Sequence, residues 1–363
     1  MAFSDARALK GTRLLSRRVR ATGVAVGAAA LLISAVTTAQ AGAAPAGGGE
    51  PTVSRLGTLP GGDLSWAYGI NESNEITGFA KDADGLDHAV RWNAEGELTA
   101  LDTLPGFAEA TGFTINNDGT VAGRSFNGHV VEEAATVWDA EGNATHLPSL
   151  PDGQVNRGYA LNDAGVVVGI SSTPEGTFRA VRWDDGEISE LPRVPEQEQL
   201  LSGASWINSH GVISGFSGTL AVVWDEEGEV NPLEQLPSPQ GDVVSRAYAV
   251  NDDGWVVGAA VDKGTASHPV RWTPDGEVSA LELLPGDVGG AAYGISDEGE
   301  INGYSINTLG AKRAVVWNAE GEITELNPGG PRPSEGYMIN DLGVVVGVTA
   351  DENHATRGLV YTP

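Results

Sequence analysis

One pattern recurs so regularly along this chain that it limits the fold before anything else is considered. Tyr68-Gly69-Ile70-Asn71, followed by a turn and Gly78, returns at Phe113 to Gly123, Tyr159 to Gly169, Tyr248 to Gly258, Tyr293 to Gly303 and Tyr337 to Gly347. A further copy runs from Ser205-Trp206-Ile207-Asn208 to Gly215, with its aromatic moved one place. The Asn positions are 71, 116, 162, 208, 251, 296 (Ser) and 340, and their spacings run from 43 to 46. A second anchor closes on an aromatic: Trp92, Trp138, Trp183, Trp224, Trp272, Trp317 and finally Tyr361. A third is a short segment ending in Leu-Pro-Gly or a relative of it, as in Leu101 to Gly106. Self-similarity at such a period marks stacked supersecondary units, none of which can bury its apolar face alone.

Each unit reads as four short strands, a to d. Alternating apolar residues such as Tyr68 and Ile70 suit strand a. An Asn-x-x-Gly turn follows, in which Asn caps the turn and Gly supplies a positive φ. Strand b ends in Gly and a small residue, strand c ends in Trp, and Pro after strand d stops pairing there. No helical period occurs after residue 41. The fold class expected is therefore all-β, a closed seven-bladed β-propeller with four strands per blade, over residues 54–363. The first d strand stands alone at Arg55 to Leu59, and the chain ends on a c strand, Arg357 to Tyr361. The N-terminal strand is thus expected to complete the last blade, leaving no open edge.

The N-terminus has the layout of a secretory signal over residues 1–41, followed by a flexible linker over 42–53. Arg7, Lys10, Arg13, Arg17, Arg18 and Arg20 form a basic region, Ala21 to Val36 is uncharged and apolar, and Ala39-Gln40-Ala41 fits signal peptidase. The apolar run is too short, and too rich in Ala and Gly, to make a good membrane span. Ser16-Arg17-Arg18 is half of a twin-arginine signal, so a general or a twin-arginine route is expected to lead to a secreted, extracellular protein. Beyond residue 41 the chain keeps 15 basic against 48 acidic residues, a formal charge of −33. Such a surface repels phosphate backbones and anionic lipid, which argues against nucleic-acid and membrane partners. There is no cysteine, so disulfides and thiolate metal sites are excluded. A monomer is expected.

Leu56-Gly57-Thr58-Leu59-Pro60-Gly61-Gly62, with Ser65, Ala67 and Ile70-Asn71, resembles the HAF family of probable extracellular repeats. That family is named for a His-Ala-Phe triplet in strand c, present here as His88-Ala89-Val90 with Val for Phe; other copies carry Arg, Ala or Pro in the triplet. The resemblance covers residues 54 to 363. It implies an exported repeat protein and carries over no catalytic residue.

Candidate sites must break the repeat. The Trp at the end of strand c recurs in six blades and is read as core between blades. Trp206 is expected to stand in for the aromatic missing at Ser205. Trp66 differs, because the other copies have Thr, Arg, Gly, Arg, Ala and Glu at its position. Gly-x-Ser at Gly123, Gly169, Gly215 and Gly303 lacks the second Gly and the helix of a nucleophile elbow, and is read as structural. Asp82, Asp84 and Asp87 form Asp-x-Asp-Gly-x-Asp in the first b–c loop, where alternate oxygens beside a Gly turn can cage Ca²⁺. A solvated acidic hairpin is the favoured reading, since the closing Glu of an EF-hand is missing and the loop is short. No other cofactor is expected. His88, His129, His268 and His354 fall in or near b–c loops but share no metal-ligand spacing. Asn71 and Asn143 begin glycosylation sequons and are read as turn residues.

In a propeller the a–b and c–d turns share one face, here the turn face, and the d–a and b–c connections share the other, the loop face. The first set is nearly constant among copies. The second varies: Phe216 to Leu220 and Arg124 to Ala134 are both b–c connections, and Glu196 to Gln199 and Pro331 to Ser334 are unusual d–a loops. Variable loops on a rigid scaffold are where specificity is placed. The expectation is a non-catalytic binding or scaffold protein for an extracellular protein, glycan or cell-wall polymer, its ligand touching Trp66, Asp82, Asp84 and Asp87. The alternative is a secreted polysaccharide or peptide hydrolase or lyase acting at the channel mouth. No pair of catalytic groups stands out from the repeat.

Overall fold

The computed structural model describes residues 52–128, 132–238, 241, 243–262, 267–328, 330, 333–350 and 355–363. Residues 1–41, where a signal is expected, and all but the end of the expected linker lie outside the described residues, as do His129, His354 and Pro331-Arg332. The described chain forms seven antiparallel sheets of four strands each, the seven-bladed arrangement its repeats predict. Blade 1 consists of Ser65–Ile70, Ile76–Lys81, Asp87–Trp92 and Leu98–Ala100. Blade 7 consists of Ser334–Ile339, Val345–Ala350 and Thr356–Thr362, with Thr52–Arg55 as its outer strand. One 3-10 turn, Pro195–Gln197, interrupts the pattern.

The outer strand of blade 7 sits earlier than the Arg55 to Leu59 that the sequence suggests. Thr52 pairs with Thr362 and Arg55 with Leu359. The reason lies in Leu56, which is buried and donates its N–H to the Gly358 carbonyl at 2.9 Å. Leu101, Leu147, Leu191, Leu233, Leu281 and Leu326 make the same bond to strand c in their own blades. The Leu that looked like mid-strand is the residue that ends it. Thr52 and Val53 need no apolar pattern because they pair at an exposed edge.

Three repeated residues explain why the units stack. The strand-c Trp indoles of blades 1 to 6 are at most 1 % exposed, and each donates its Nε1–H to a carbonyl just past the Leu of the preceding strand d. Trp92 reaches Gly57, Trp138 reaches Asp102 and Trp183 reaches Pro148. Each Trp therefore fills the gap between two blades and ties them. The strand-b Gly exists for closeness: a Cβ on Gly169 would lie 1.9 Å from the Arg157 carbonyl oxygen, and one on Gly78 would lie 1.8 Å from that of Trp66. That closeness comes with a bulge in strand a, whose extra residue is the anchor aromatic itself, as at Tyr68 and Tyr159. A bulge re-aims its side chain, and here it turns the aromatics toward one another around the channel. The serines of the Gly-x-Ser segments are buried: Ser171 Oγ accepts from Leu150 N–H and Ser217 Oγ from Val194 N–H. With Ser305 Oγ, which accepts from Leu284 N–H, they secure d–a loops, whereas Ser125 Oγ bonds Thr136 Oγ1 in strand c.

Candidate functional site

The channel has two mouths built from different residues. On the turn face each strand a ends in the repeated Asn. Its Oδ1 accepts the N–H four residues on, as from Glu75 to Asn71 at 2.8 Å, which closes its own turn. Its Nδ2 then donates to the backbone carbonyl of the next Asn position: Asn71 to Asn116, Asn116 to Asn162, Asn162 to Asn208, Asn208 to Asn251 and Asn251 to Ser296. Asn340 donates to Asn71 at 3.0 Å across 269 residues of sequence. Ser296 has no amide to continue the chain, so the circle has one gap.

A second series of links lies beside it, interrupted between Asp163 and Ser209. The N–H of Glu72 donates to Asn117, Asn117 to Asp163, Ser209 to Asp252, Asp252 to Asp297, Asp297 to Asp341 and Asp341 to Glu72, each time to the side-chain oxygen of the next blade. These residues rim a cavity of about 180 Å³, with the repeated Ile and Leu of strand a as its wall. Burial pushes the carboxyls of Glu72 and Asp297 up, and the neighbouring rim acids add to it. Trp206 also lines this cavity, half-buried against the cores of blades 4 to 6. It does not restore the missing aromatic at Ser205, because its position in the strand carries it toward the turn face.

At mid-channel the bulged aromatics form a belt. Ring centroids are 5.6 Å apart for Tyr159 and Phe113, 5.6 Å for Phe113 and Tyr68, and 5.3 Å for Tyr68 and Tyr337. The series continues through Tyr293 at 5.7 Å to Tyr248 at 5.4 Å. It stops at Ser205. Burial pushes the phenols of Tyr68, Tyr248, Tyr293 and Tyr337 upward, so they remain protonated.

One step from the belt toward the loop face the repeat gives way. Cross-strand pairs there are Trp66 with Phe79, Thr111 with Arg124, Arg157 with Ile170, Gly203 with Phe216, Arg246 with Ala259, Ala291 with Tyr304 and Glu335 with Val348. Trp66 is half-buried and stacks on Tyr68 at 6.0 Å, on Phe79 at 6.1 Å and on Tyr337 at 6.1 Å. It belongs to the mouth, neither fully core nor free in solvent. Glu133 receives Arg157 through two bonds of 2.5 and 2.8 Å, and Arg124 at 2.7 Å. Burial pushes the Glu133 carboxyl up, but the bonds and charges of the two arginines outweigh it and leave it below its ordinary value. Lys312 pairs with Glu335 at 2.8 Å and lies 4.3 Å from the centre of the Tyr304 ring. Arg124 stacks 4.5 Å from Phe126, and Arg246 4.2 Å from Phe216.

The acidic loop proposed from the sequence is placed beside this mouth but is internally satisfied. Asp82 accepts the N–H groups of Asp84 and Leu86 and bonds His88 at 2.8 Å, which with those N–H groups lowers its carboxyl. Asp87 pairs with Lys81 at 2.6 Å; burial nevertheless raises its carboxyl, and its charge bears on Tyr68. Asp84 is exposed. Among the described residues no three His, Asp or Glu side chains are grouped to hold a metal. Arg124, Arg157, Arg246, Lys312 and Glu335 escaped the sequence reading as a group, although their positions were already visible as irregular within the repeat.

No protein-family model matches this sequence, and neither does any curated protein. Among solved structures, virginiamycin B lyase from Staphylococcus aureus is 17% identical, covering 86% of this chain and 100% of that one with a TM-score of 0.54. A streptogramin B lyase is 14% identical over 86% of this chain and 98% of its own, with a TM-score of 0.53. The β-propeller domain of the Trilobed protease from Pyrococcus furiosus is 12% identical over 82% and 95%, at 0.53. The likeness is one of fold.

Proposed function

We propose that this chain is an exported, non-catalytic binding module whose ligand, on an extracellular protein, glycan or wall polymer, enters the loop-face mouth of the channel. The observation that carries this is the company kept there: half-exposed rings (Trp66, Phe79, Phe113, Tyr304) beside four cations, in a chain otherwise dominated by acids. Flat rings supply stacking area and the cations supply direction. Function placed on variable positions of a rigid frame fits this mouth better than the other, where every blade contributes the same turn. Catalysis is less well served. Among the described residues the mouth's carboxylates Glu133 and Glu335 are each paired with a cation and its buried phenols hold their protons, which ill suits either kind of group to proton exchange near neutral pH. Lyases and a protease domain share the fold, and a hydrolase or lyase acting at this mouth is the competing account.

The test is to incubate the purified propeller with peptidoglycan and polysaccharide preparations, measuring retention and released products together. Retention without products is expected. Trp66→Ala should weaken retention at least tenfold, equivalent to about 1.4 kcal/mol, while far-UV circular dichroism stays unchanged. Products that accumulate with time would overturn the proposal, as would retention indifferent to Trp66→Ala.

A further inference from the structure

Resting on the proposal that the loop-face mouth binds a ligand, we infer that this ligand presents one carboxylate beside a flat apolar group, and that Arg246 receives the carboxylate in a recess at blade 4. Three of the mouth's cations already have acids: Arg124 and Arg157 share Glu133, and Lys312 holds Glu335. Arg246 is half-buried and, among the described residues, no carboxylate meets it. It donates one bond, 2.7 Å to the Ser245 carbonyl, and lies over Phe216. Burial pulls its pKa down, only partly opposed by Tyr248. A guanidinium has five N–H donors in a planar fork that matches a carboxylate. Leaving such a charge half-desolvated and unmatched is costly unless something arrives to match it.

Space beside it comes from blade 4. Ser205 occupies the belt position that holds an aromatic in all the other blades, and its short side chain, half-buried like Phe113, Tyr248 and Tyr293, puts no ring there. Gly203, one step above, leaves room that the Phe216 ring enters, since a Cβ there would lie 2.7 Å from that ring. The recess is thus bounded by Phe216, Arg246 and the neighbouring belt members Tyr159 and Tyr248. An apolar flat group can lie at Ser205, the one of the seven belt positions without an aromatic ring, with its acid on the guanidinium. The pairing, rather than the total charge, favours a single negative group, because Arg246 alone of these four cations meets no carboxylate among the described residues. The mouth carries four cations against Glu133 and Glu335, whereas the chain beyond residue 41 is at −33 and repels a polyanion.

The probes are N-acetyl-tyrosine and its amide, titrated into the wild-type propeller and followed by tryptophan fluorescence and by two-dimensional NMR. The acid should bind at least tenfold more tightly than the amide. Arg246→Gln should erase that difference, and Arg246→Lys, which keeps charge but loses the fork, should restore part of it. The wild-type acid-to-amide ratio needs no variant and stands even if Arg246→Gln folds poorly. Equal binding of acid and amide, with both weakened by Trp66→Ala, overturns this inference and leaves the mouth a binding site. Failure of both probes to saturate below about 10 mM, while wall polymer is still retained through Trp66, likewise overturns the inference alone. Failure of the probes together with retention indifferent to Trp66 overturns both.

Discussion

The two mouths of one channel solve opposite problems. At the turn face, seven near-identical turns meet, and their side chains are spent on one another: Asn71 bonds its own turn and then the next blade. At the loop face the corresponding positions hold Trp66, Thr111, Arg157, Gly203, Arg246, Ala291 and Glu335, no residue type repeating except Arg. The contrast teaches where a repeat fold keeps its stability and where it leaves room for specificity. It also makes the mouths respond to acid in opposite senses. Glu133 has a lowered carboxyl held by cations, while Glu72 and Asp297 have raised carboxyls crowded by burial and by other acids.

The largest single effect should come from the loop face, at Glu133. Its two arginines come from different blades, so Glu133→Gln leaves both without a charge partner and should cost about 3 kcal/mol. The sign with pH follows from the lowered folded-state value. Stability from Glu133 is complete above its ordinary pKa and is lost as pH falls through the folded one. Urea denaturation across the acid range should therefore show a weaker acid loss in the variant. An unchanged pH profile would mean that the pair contributes nothing, and that the loop face holds no stored charge.

Asn162→Ala tests the opposite mouth. It removes the bond to the Asn208 carbonyl and leaves the Val166 N–H without its acceptor. Two bonds at about 1 kcal/mol each suggest a loss of about 2 kcal/mol, with ligand retention unaffected in the folded protein. A change in retention without a change in stability would reverse the division of labour between the mouths.

What could be read from the sequence divides along the same line. The strand-c Trp, the strand-b Gly and the turn Asn recur with their spacing, and repetition alone marks them as structural. That the Asn also bonds the next blade was not legible, because nothing local says how blades approach. The sequence pattern places the first d strand too late because Leu56 resembles a strand residue, whereas its burial under blade 1 makes it the stop. At the loop face the sequence isolates Trp66 as an exception but cannot pair Glu133 with Arg157, 24 residues apart, or Lys312 with Glu335, 23 apart. Only those pairings show Arg246 to be the cation left over. Asp82, Asp84 and Asp87 drew attention as a cluster, yet the loop uses Asp82 to cap its own turn and Asp87 to hold Lys81.

Ser296→Asn sharpens the contrast by completing the turn-face circle. Ser296 Oγ already accepts the Glu300 N–H, as Asn does elsewhere, but it cannot donate onward to the Asn340 carbonyl. An Asn there supplies that donor and should raise stability by about 1 kcal/mol. A destabilised variant would mean that blade 6 is shaped around the serine, and that the gap is a feature of the ring rather than an omission.

The smallest effect should come from Asp297→Asn. Asp297 accepts the Asp252 N–H through Oδ1 and sits among Asp252, Asp253 and Asp341. Burial raises its carboxyl first, the neighbouring charges raise it further, and the Asp252 N–H only partly offsets them. The folded state therefore holds this proton more tightly than the unfolded chain does. Stability must rise as pH falls from the folded pKa toward the unfolded one, and the ionised group is a burden at neutral pH. Asn keeps an oxygen for the Asp252 N–H and removes the charge. The expected gain at neutral pH is about 0.5 kcal/mol, small because the rim is partly solvated and screened. It should shrink with added salt and vanish in acid, where the wild-type carboxyl is protonated. Thermal melts of both proteins at neutral and acidic pH, with and without salt, read this directly. A variant less stable at neutral pH would show that the rim's carboxylates hold the turns together more than they repel, and the opposite response of the two mouths would be lost.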